Sequence, residues 1–391
     1  MPTLLDELET PAILIDRLRL DANIRRMQTL AERNDVALRP HVKTHRSVTI
    51  ARLQREAGSR GLTVAKPAEA DVFIDHGFED VRIAYPLVGR RRLERVARLL
   101  SHARVSFCVD TREGAEAASA YLAEQGIEAE VLLEVDTGHH RTGVDPSHPT
   151  AVDFARHVAG LPGLRLVGIL THAGHGYFGP AEAETKRDAL SRAAAEERDT
   201  MLRFAVALRE AGIPGVDPNT FEISIGSTPT MAAFENREID GFRITEIRPG
   251  NYVFNDAIQT SLGAARLSDC ALTVLATVVS RHRDTDGTER VFIDAGKKVL
   301  TSDRGFATEG FGIPLFNAST MTPLPHAQIV SLSEEHGWMR VPGGATLAVG
   351  DRVRIVPNHA CVVMSTLDKA WLVGGDQATE QIEVDARGQS F

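Results

Sequence analysis

The stretch Val36-Ala37-Leu38-Arg39-Pro40-His41-Val42-Lys43-Thr44-His45 decides the fold. An amphipathic helical pattern over 20–34 runs up to it, and the short apolar approach Val36-Ala37-Leu38 follows. The reading is a helix, a short strand and a polar turn, with Lys43 where the strand would end. A second helical pattern, 48–57, comes directly after.

The same unit recurs along the chain. Strands are predicted at 36–40, 61–65, 81–85, 105–109, 130–135, 164–171, 221–225 and 244–247. Helical patterns fall between them at 48–57, 67–77, 89–101, 112–125, 150–161, 185–210 and 231–237. About eight strand–helix units over roughly 220 residues predict an α/β fold, a (β/α)8 TIM-type barrel. An open doubly wound sheet is the alternative, but no Gly-x-Gly-x-x-Gly follows the first strand.

The pattern changes after about Ser261. Strands are predicted at 273–281, 290–293, 328–332, 352–356, 370–373 and 381–384, with turns at Asp286-Gly287 and Pro342-Gly343-Gly344 and no long helical periodicity. With 391 residues, two domains are the default. The expected division is a barrel over 17–262 and a mainly β domain over 263–391, which the N-terminal strand of 1–16 joins.

Composition narrows the function. A net charge of -9 lacks the basic field a nucleic-acid partner requires. No apolar run reaches the ~18 residues of a membrane span. Met1-Pro2-Thr3-Leu4-Leu5-Asp6 has neither the basic nor the apolar region of a signal peptide. Cys108, Cys270 and Cys361 are too few and scattered for a disulfide framework, so a reducing cytoplasm is expected.

In a strand–helix barrel, catalytic groups gather at the carboxyl ends of the strands. The first strand is followed by His41-Val42-Lys43-Thr44-His45, and the fifth by Asp136-Thr137-Gly138-His139-His140-Arg141-Thr142-Gly143. The sixth leads to Thr171-His172-Ala173-Gly174-His175-Gly176-Tyr177, and the seventh to Gly226-Ser227-Thr228-Pro229-Thr230. The eighth leads to Arg248-Pro249-Gly250-Asn251-Tyr252. Cations around an ammonium favour the neutral amine that attacks a carbonyl. Lys43 therefore reads as a Schiff-base lysine for pyridoxal phosphate; alone it would be one solvated lysine among 44 basic residues. Phosphate in barrels is often held after strands seven and eight, where Gly226, Ser227, Thr228, Gly250 and Asn251 offer backbone N–H groups, hydroxyls and an amide. Of Arg141 and Arg248, one guanidinium can bond the ring phenolate and the other face the pyridine nitrogen. His172 can lie flat on the ring.

A second constellation is Val356-Pro357-Asn358-His359-Ala360-Cys361. On a strand, i and i+2 share a face, which would set the His359 imidazole beside the Cys361 thiol. That pair suits zinc, with water and substrate completing the shell. The alternative is a buried cysteine next to a histidine.

Together these motifs resemble, in order and over nearly the whole chain, the D-serine dehydratase and D-threonine aldolase family. These are fold-type III pyridoxal phosphate enzymes related to alanine racemase. The resemblance implies a homodimer, Lys43 as the cofactor lysine and catalytic base, and Arg141, His172, Tyr177, Ser227, Thr228, Arg248, Gly250, Asn251 and Tyr252 around the cofactor. It implies a divalent metal on His359 and Cys361, usually zinc, with Mn2+ or Mg2+ as alternatives. Aldolase members resemble His-x-Asp at the metal position, whereas His359-Ala360-Cys361 looks like the dehydratase branch. The expected substrate is a small D-3-hydroxy amino acid: D-serine, D-threo-3-hydroxyaspartate or D-threonine. Its products would be a 2-oxo acid and ammonia. A metal-dependent aldolase giving glycine or glyoxylate-type products is the alternative, and a non-catalytic pyridoxal phosphate carrier is the non-enzymatic one.

Overall fold

The computed structural model describes residues 3–285, 287–341 and 347–391. The turn residues Asp286, Pro342, Gly343 and Gly344, and the first two residues of the N-terminal stretch, lie outside that set. The chain forms two compact units. One comprises residues 26–43, 51–250 and 388–391, and the other residues 1–25, 44–50 and 251–387.

The first unit holds an eight-stranded parallel sheet. In spatial order its strands are Ala37–Leu38, Glu246–Ile247, Glu222–Ile225, Leu164–Thr171, Ala129–Val135, Arg104–Val109, Asp80–Pro86 and Leu62–Val64. A parallel bridge between His41 and Thr63 links the last to the first, so the sheet closes as the expected barrel. Helices alternate with the strands because parallel neighbours need crossovers. Val131, Leu132, Leu133, Ile169 and Ile223 are buried, as both faces of such a sheet are covered.

Charged residues interrupt these apolar strands and meet one another. Glu246 accepts from Arg39 Nε at 2.6 Å and from Arg82 Nη1 at 2.5 Å. Arg82 continues to Glu222, Arg104 bridges Glu222 at 2.9 Å and Glu130 at 2.8 Å, and Asp80 takes Arg39 at 2.7 Å. Burial would raise the Glu246 carboxyl, but Arg39 and Arg82 overcome it and hold it at about 2.

One expected helix is corrected. Residues 232–237 are not helical; the helix there is Thr228–Met231, capped by Ser227 with a proline in its first turn. Asn236 explains the change. Its side chain exchanges hydrogen bonds with the Ile244 backbone at 3.0 and 3.1 Å and donates to Asn34 O, which holds the segment extended.

The second unit is a mainly β structure with an 11-stranded sheet. Ala12–Asp16 lies between Leu272–Arg283, antiparallel, and Lys369–Gly374, parallel. Ile13, Leu14 and Ile15 are fully buried there. Ile313–Asn317, Thr322–Pro323 and Gly337–Val341 add strands that the patterning did not predict. Among the described residues no helix is long and apolar enough to cross a membrane.

Candidate active site

In the barrel unit Lys43 sits on the tight turn Val42–Thr44, just past the first strand. His41 is buried, and its imidazole is held well below the usual range by burial first, then by Lys43, Arg248 and His172. His172 is depressed in the same way by burial, Lys43, Arg141 and Arg248. Lys43, Arg141 and Arg248 are thus all within electrostatic reach of His172. His41 joins them, although the motif reading gave it no role of its own.

Each cation is fixed by its element. Arg248, fully inside the barrel, donates Nε to Ser224 Oγ at 2.7 Å and Nη2 to the Thr171 carbonyl. Ser224 passes its own hydrogen to Glu246 at 2.6 Å, which ties Arg248 to the ion-pair ladder. Arg141 is exposed on a loop ordered by Asp136, whose Oδ1 accepts the N–H groups of Gly138, His139 and His140. His172 lies 3.3 Å, through Nδ1, from Gly226 O. The Tyr177 ring is 6.5 Å from it, and His139 meets it edge-on at 6.0 Å.

The seventh-strand turn is shaped by Gly226. Its φ of +138° is one that L side chains rarely adopt, and a Cβ there would stand 2.7 Å from Arg248 N. Ser227 and Thr228 follow, both buried, with Ser227 Oγ 3.2 Å from Thr230 Oγ1. Behind the turn sits a group the motifs missed. Glu197, on helix Lys186–Glu210, accepts Gly226 N–H at 2.9 Å and Thr230 Oγ1 at 3.0 Å. It was readable in principle, because it falls at helical spacing among Leu190, Ala193, Ala194 and Met201, all buried.

This set fits a phosphorylated carbonyl cofactor. Several cationic or imidazole groups converge, the turn admits close backbone approach, and buried His41 Nδ1 has no hydrogen-bond partner among the described residues. Lys43, Arg141, His172, Arg248 and the Gly226–Thr228 turn would hold it. Gly250, half-buried, closes the eighth-strand turn.

In the other unit Asn251 and Tyr252 are buried, and Asn251 Nδ2 donates to Asp256 Oδ2 at 2.5 Å. His359 and Cys361 are not on a strand, which corrects the expected reason for their pairing. The strand ends at Val356, His359 caps the short helix Ala360–Val363, and Cys361 lies in its first turn. They still face each other. Burial lowers the His359 imidazole, but the Cys361 sulfur, Asp256 and Asp303 outweigh it and push it up to about 10. Asp303 Oδ2 stands 2.7 Å from His359 Nδ1, and Thr44 Oγ1 stands 3.3 Å from Cys361 Sγ.

Among the described residues no group of three or more His, Cys, Asp or Glu is placed to hold a metal ion. The pair nevertheless fits a zinc-like ion with open positions. Its donors are an imidazole and a sulfur, and a carboxylate on Nδ1 sets the ring and leaves Nε2 to the metal.

Comparison with known proteins places the chain in a family. The family described as alanine racemase, N-terminal domain, matches residues 15–257. A putative serine dehydratase domain matches residues 271–373. The chain is 36% identical over 363 residues to D-threo-3-hydroxyaspartate dehydratase of Delftia sp. (strain HT23), covering 90% of this chain and 91% of that one. It is 31% identical over 394 residues to D-threonine aldolase of Arthrobacter sp., covering 99% and 94%. A solved D-threo-3-hydroxyaspartate dehydratase, a Cys-to-Ala variant in the metal-free form, superposes with a TM-score of 0.84 at 33% identity, covering 97% of this chain and 98% of that one. The chain belongs to the D-serine dehydratase and D-threonine aldolase family, a group of lyases among the fold-type III pyridoxal phosphate enzymes.

Proposed function

We propose that the protein is a metal-assisted dehydratase of D-3-hydroxy amino acids. The Cα hydrogen and the β-hydroxyl leave as water. One water then returns in hydrolysis, so the net products are a 2-oxo acid and ammonia. The observation that carries this reading is the facing pair His359 and Cys361, a thiol where the aldolase branch has a carboxylate.

Pyridoxal phosphate, when bound, supplies a carbonyl for amines and an electron-withdrawing ring that stabilises charge at Cα. Lys43 Nζ takes the Cα proton as general base, and its place to one side selects the D configuration. Arg248, held rigidly by Ser224 and Thr171, keeps positive charge in place without reorganising during reaction. Backbone N–H groups of the glycine turns and the hydroxyls of Ser227 and Thr228 would donate to the cofactor's phosphate, and Gly250, Asn251 and Tyr252 are proposed to serve the same group. Arg141 would donate to the phenolate, and His172 and Tyr177 would bound the ring. A divalent ion on His359 and Cys361 would stabilise charge on a departing hydroxyl, a poor leaving group otherwise.

A panel of D-amino acids, assayed with and without zinc, tests this reading. D-Serine or D-threo-3-hydroxyaspartate should give ammonia with pyruvate or oxaloacetate. Lys43→Ala should abolish turnover, and chelation should stop it while the cofactor absorbance stays. Glycine with an aldehyde would instead identify an aldolase. Full activity after verified metal removal would refute the metal's role.

A further inference from the structure

Glu197 belongs to no motif, yet its carboxyl reaches both the sixth- and the seventh-strand turns. Its carboxyl accepts Gly226 N–H at 2.9 Å, Thr230 Oγ1 at 3.0 Å and the Ala173 N–H. Ala173 follows His172, and Gly226 precedes Ser227 and Thr228. The Gly226 carbonyl in turn meets His172 Nδ1. The side chain is fully buried. Burial raises its carboxyl to about 7, opposed by those three donors and by Arg248. A solvated alternative on the helix face was open to evolution at no cost in helix propensity, so a buried carboxylate spanning two turns calls for a role.

We propose that Glu197 is the positioning residue for the phosphate end of the cofactor site: by holding Gly226, Thr230 and Ala173 at once, it fixes the spacing of the two turns and the phosphate affinity that depends on it. This rests on the phosphate reading of the Gly226–Thr228 turn. Glu197 lies behind the turn and would act without touching the cofactor. It acts by aiming the backbone and hydroxyls of one turn while Gly226 O orients the His172 ring of the other.

The test uses the full-length apoenzyme with Glu197→Ala, Glu197→Gln and Thr230→Val. Amide exchange over residues 173–177 and 226–231 is followed by mass spectrometry, and binding of pyridoxal phosphate and of unphosphorylated pyridoxal is followed by absorbance. Glu197→Ala should speed exchange in both segments and weaken pyridoxal phosphate about tenfold or more, with pyridoxal binding unchanged. Glu197→Gln, which keeps one acceptor, should fall between, and Thr230→Val should lose about threefold to tenfold. If Glu197→Ala does not fold, the other two variants decide. Variants that keep wild-type preference for the phosphorylated form, or that lose both ligands equally, overturn the proposal alone. A wild-type protein with no such preference overturns the phosphate reading, and the proposal with it.

Discussion

Glu246 shows what a single side chain carries in this barrel. Its carboxyl is held at about 2, below its ordinary 4.5, because buried Arg39 and Arg82 outweigh the burial cost. A depressed carboxyl stabilises the fold above pH ~4.5, and that contribution disappears as pH falls toward about 2. Glu246→Gln should therefore flatten the acid limb of stability. It should also cost about 3 kcal/mol at neutral pH, read by urea unfolding, because Arg39 and Arg82 lose an anionic partner while keeping Asp80 and Glu222. Glu197 has the opposite sign. Its carboxyl is raised to about 7, so stability should fall as pH climbs from ~4.5 to about 7, and Glu197→Gln should remove that slope. The residues proposed to carry chemistry stand out one by one in the sequence, since Lys43, Arg248, His359 and Cys361 set reactive groups among apolar or turn-forming neighbours. The residues that hold them do not. A glutamate in a strand or helix looks solvated until its partners, 207 positions away for Arg39 and Glu246, are folded beside it.

At the scale of elements, the strand–turn–helix unit was readable because buried parallel strands are short apolar runs between amphipathic helices. Turns were less readable. Asn236 cancelled a helix through hydrogen bonds to chain segments that periodicity does not see. His359 and Cys361 were placed on a strand, whereas one turn of helix brings them together. Gly337–Val341 alternates buried and exposed positions, a signal present in the sequence but short. The seventh-strand turn offers a sharp test. Gly226→Ala forces an L side chain to φ +138° and a Cβ to 2.7 Å from Arg248 N. The strain should cost about 1–3 kcal/mol in urea unfolding. The displaced turn should weaken pyridoxal phosphate at least tenfold in a titration of the apoenzyme, whereas an unchanged affinity would mean the turn does not contact phosphate.

At the scale of the whole chain, each compact unit is assembled from separated segments. The β unit draws its strand Ala12–Asp16 from the far N-terminus and seats it between two strands from the C-terminal third. Burial of Ile13, Leu14 and Ile15 contributes roughly 1.5–3 kcal/mol each. A fragment of residues 251–391 should therefore show no cooperative thermal transition, and a peptide of residues 1–25 should restore one in a concentration-dependent way. A fragment that melts cooperatively alone would show the strand to be dispensable.

That interior strand has a consequence for biosynthesis. Leu272, its first antiparallel partner, is made about 260 residues after Ile15. At ~5–20 residues per second, the nascent chain carries this apolar segment without its mates for roughly 13–50 s. Shielding Ala12–Asp16 until both of its neighbouring strands exist is the task this topology sets for the growing chain.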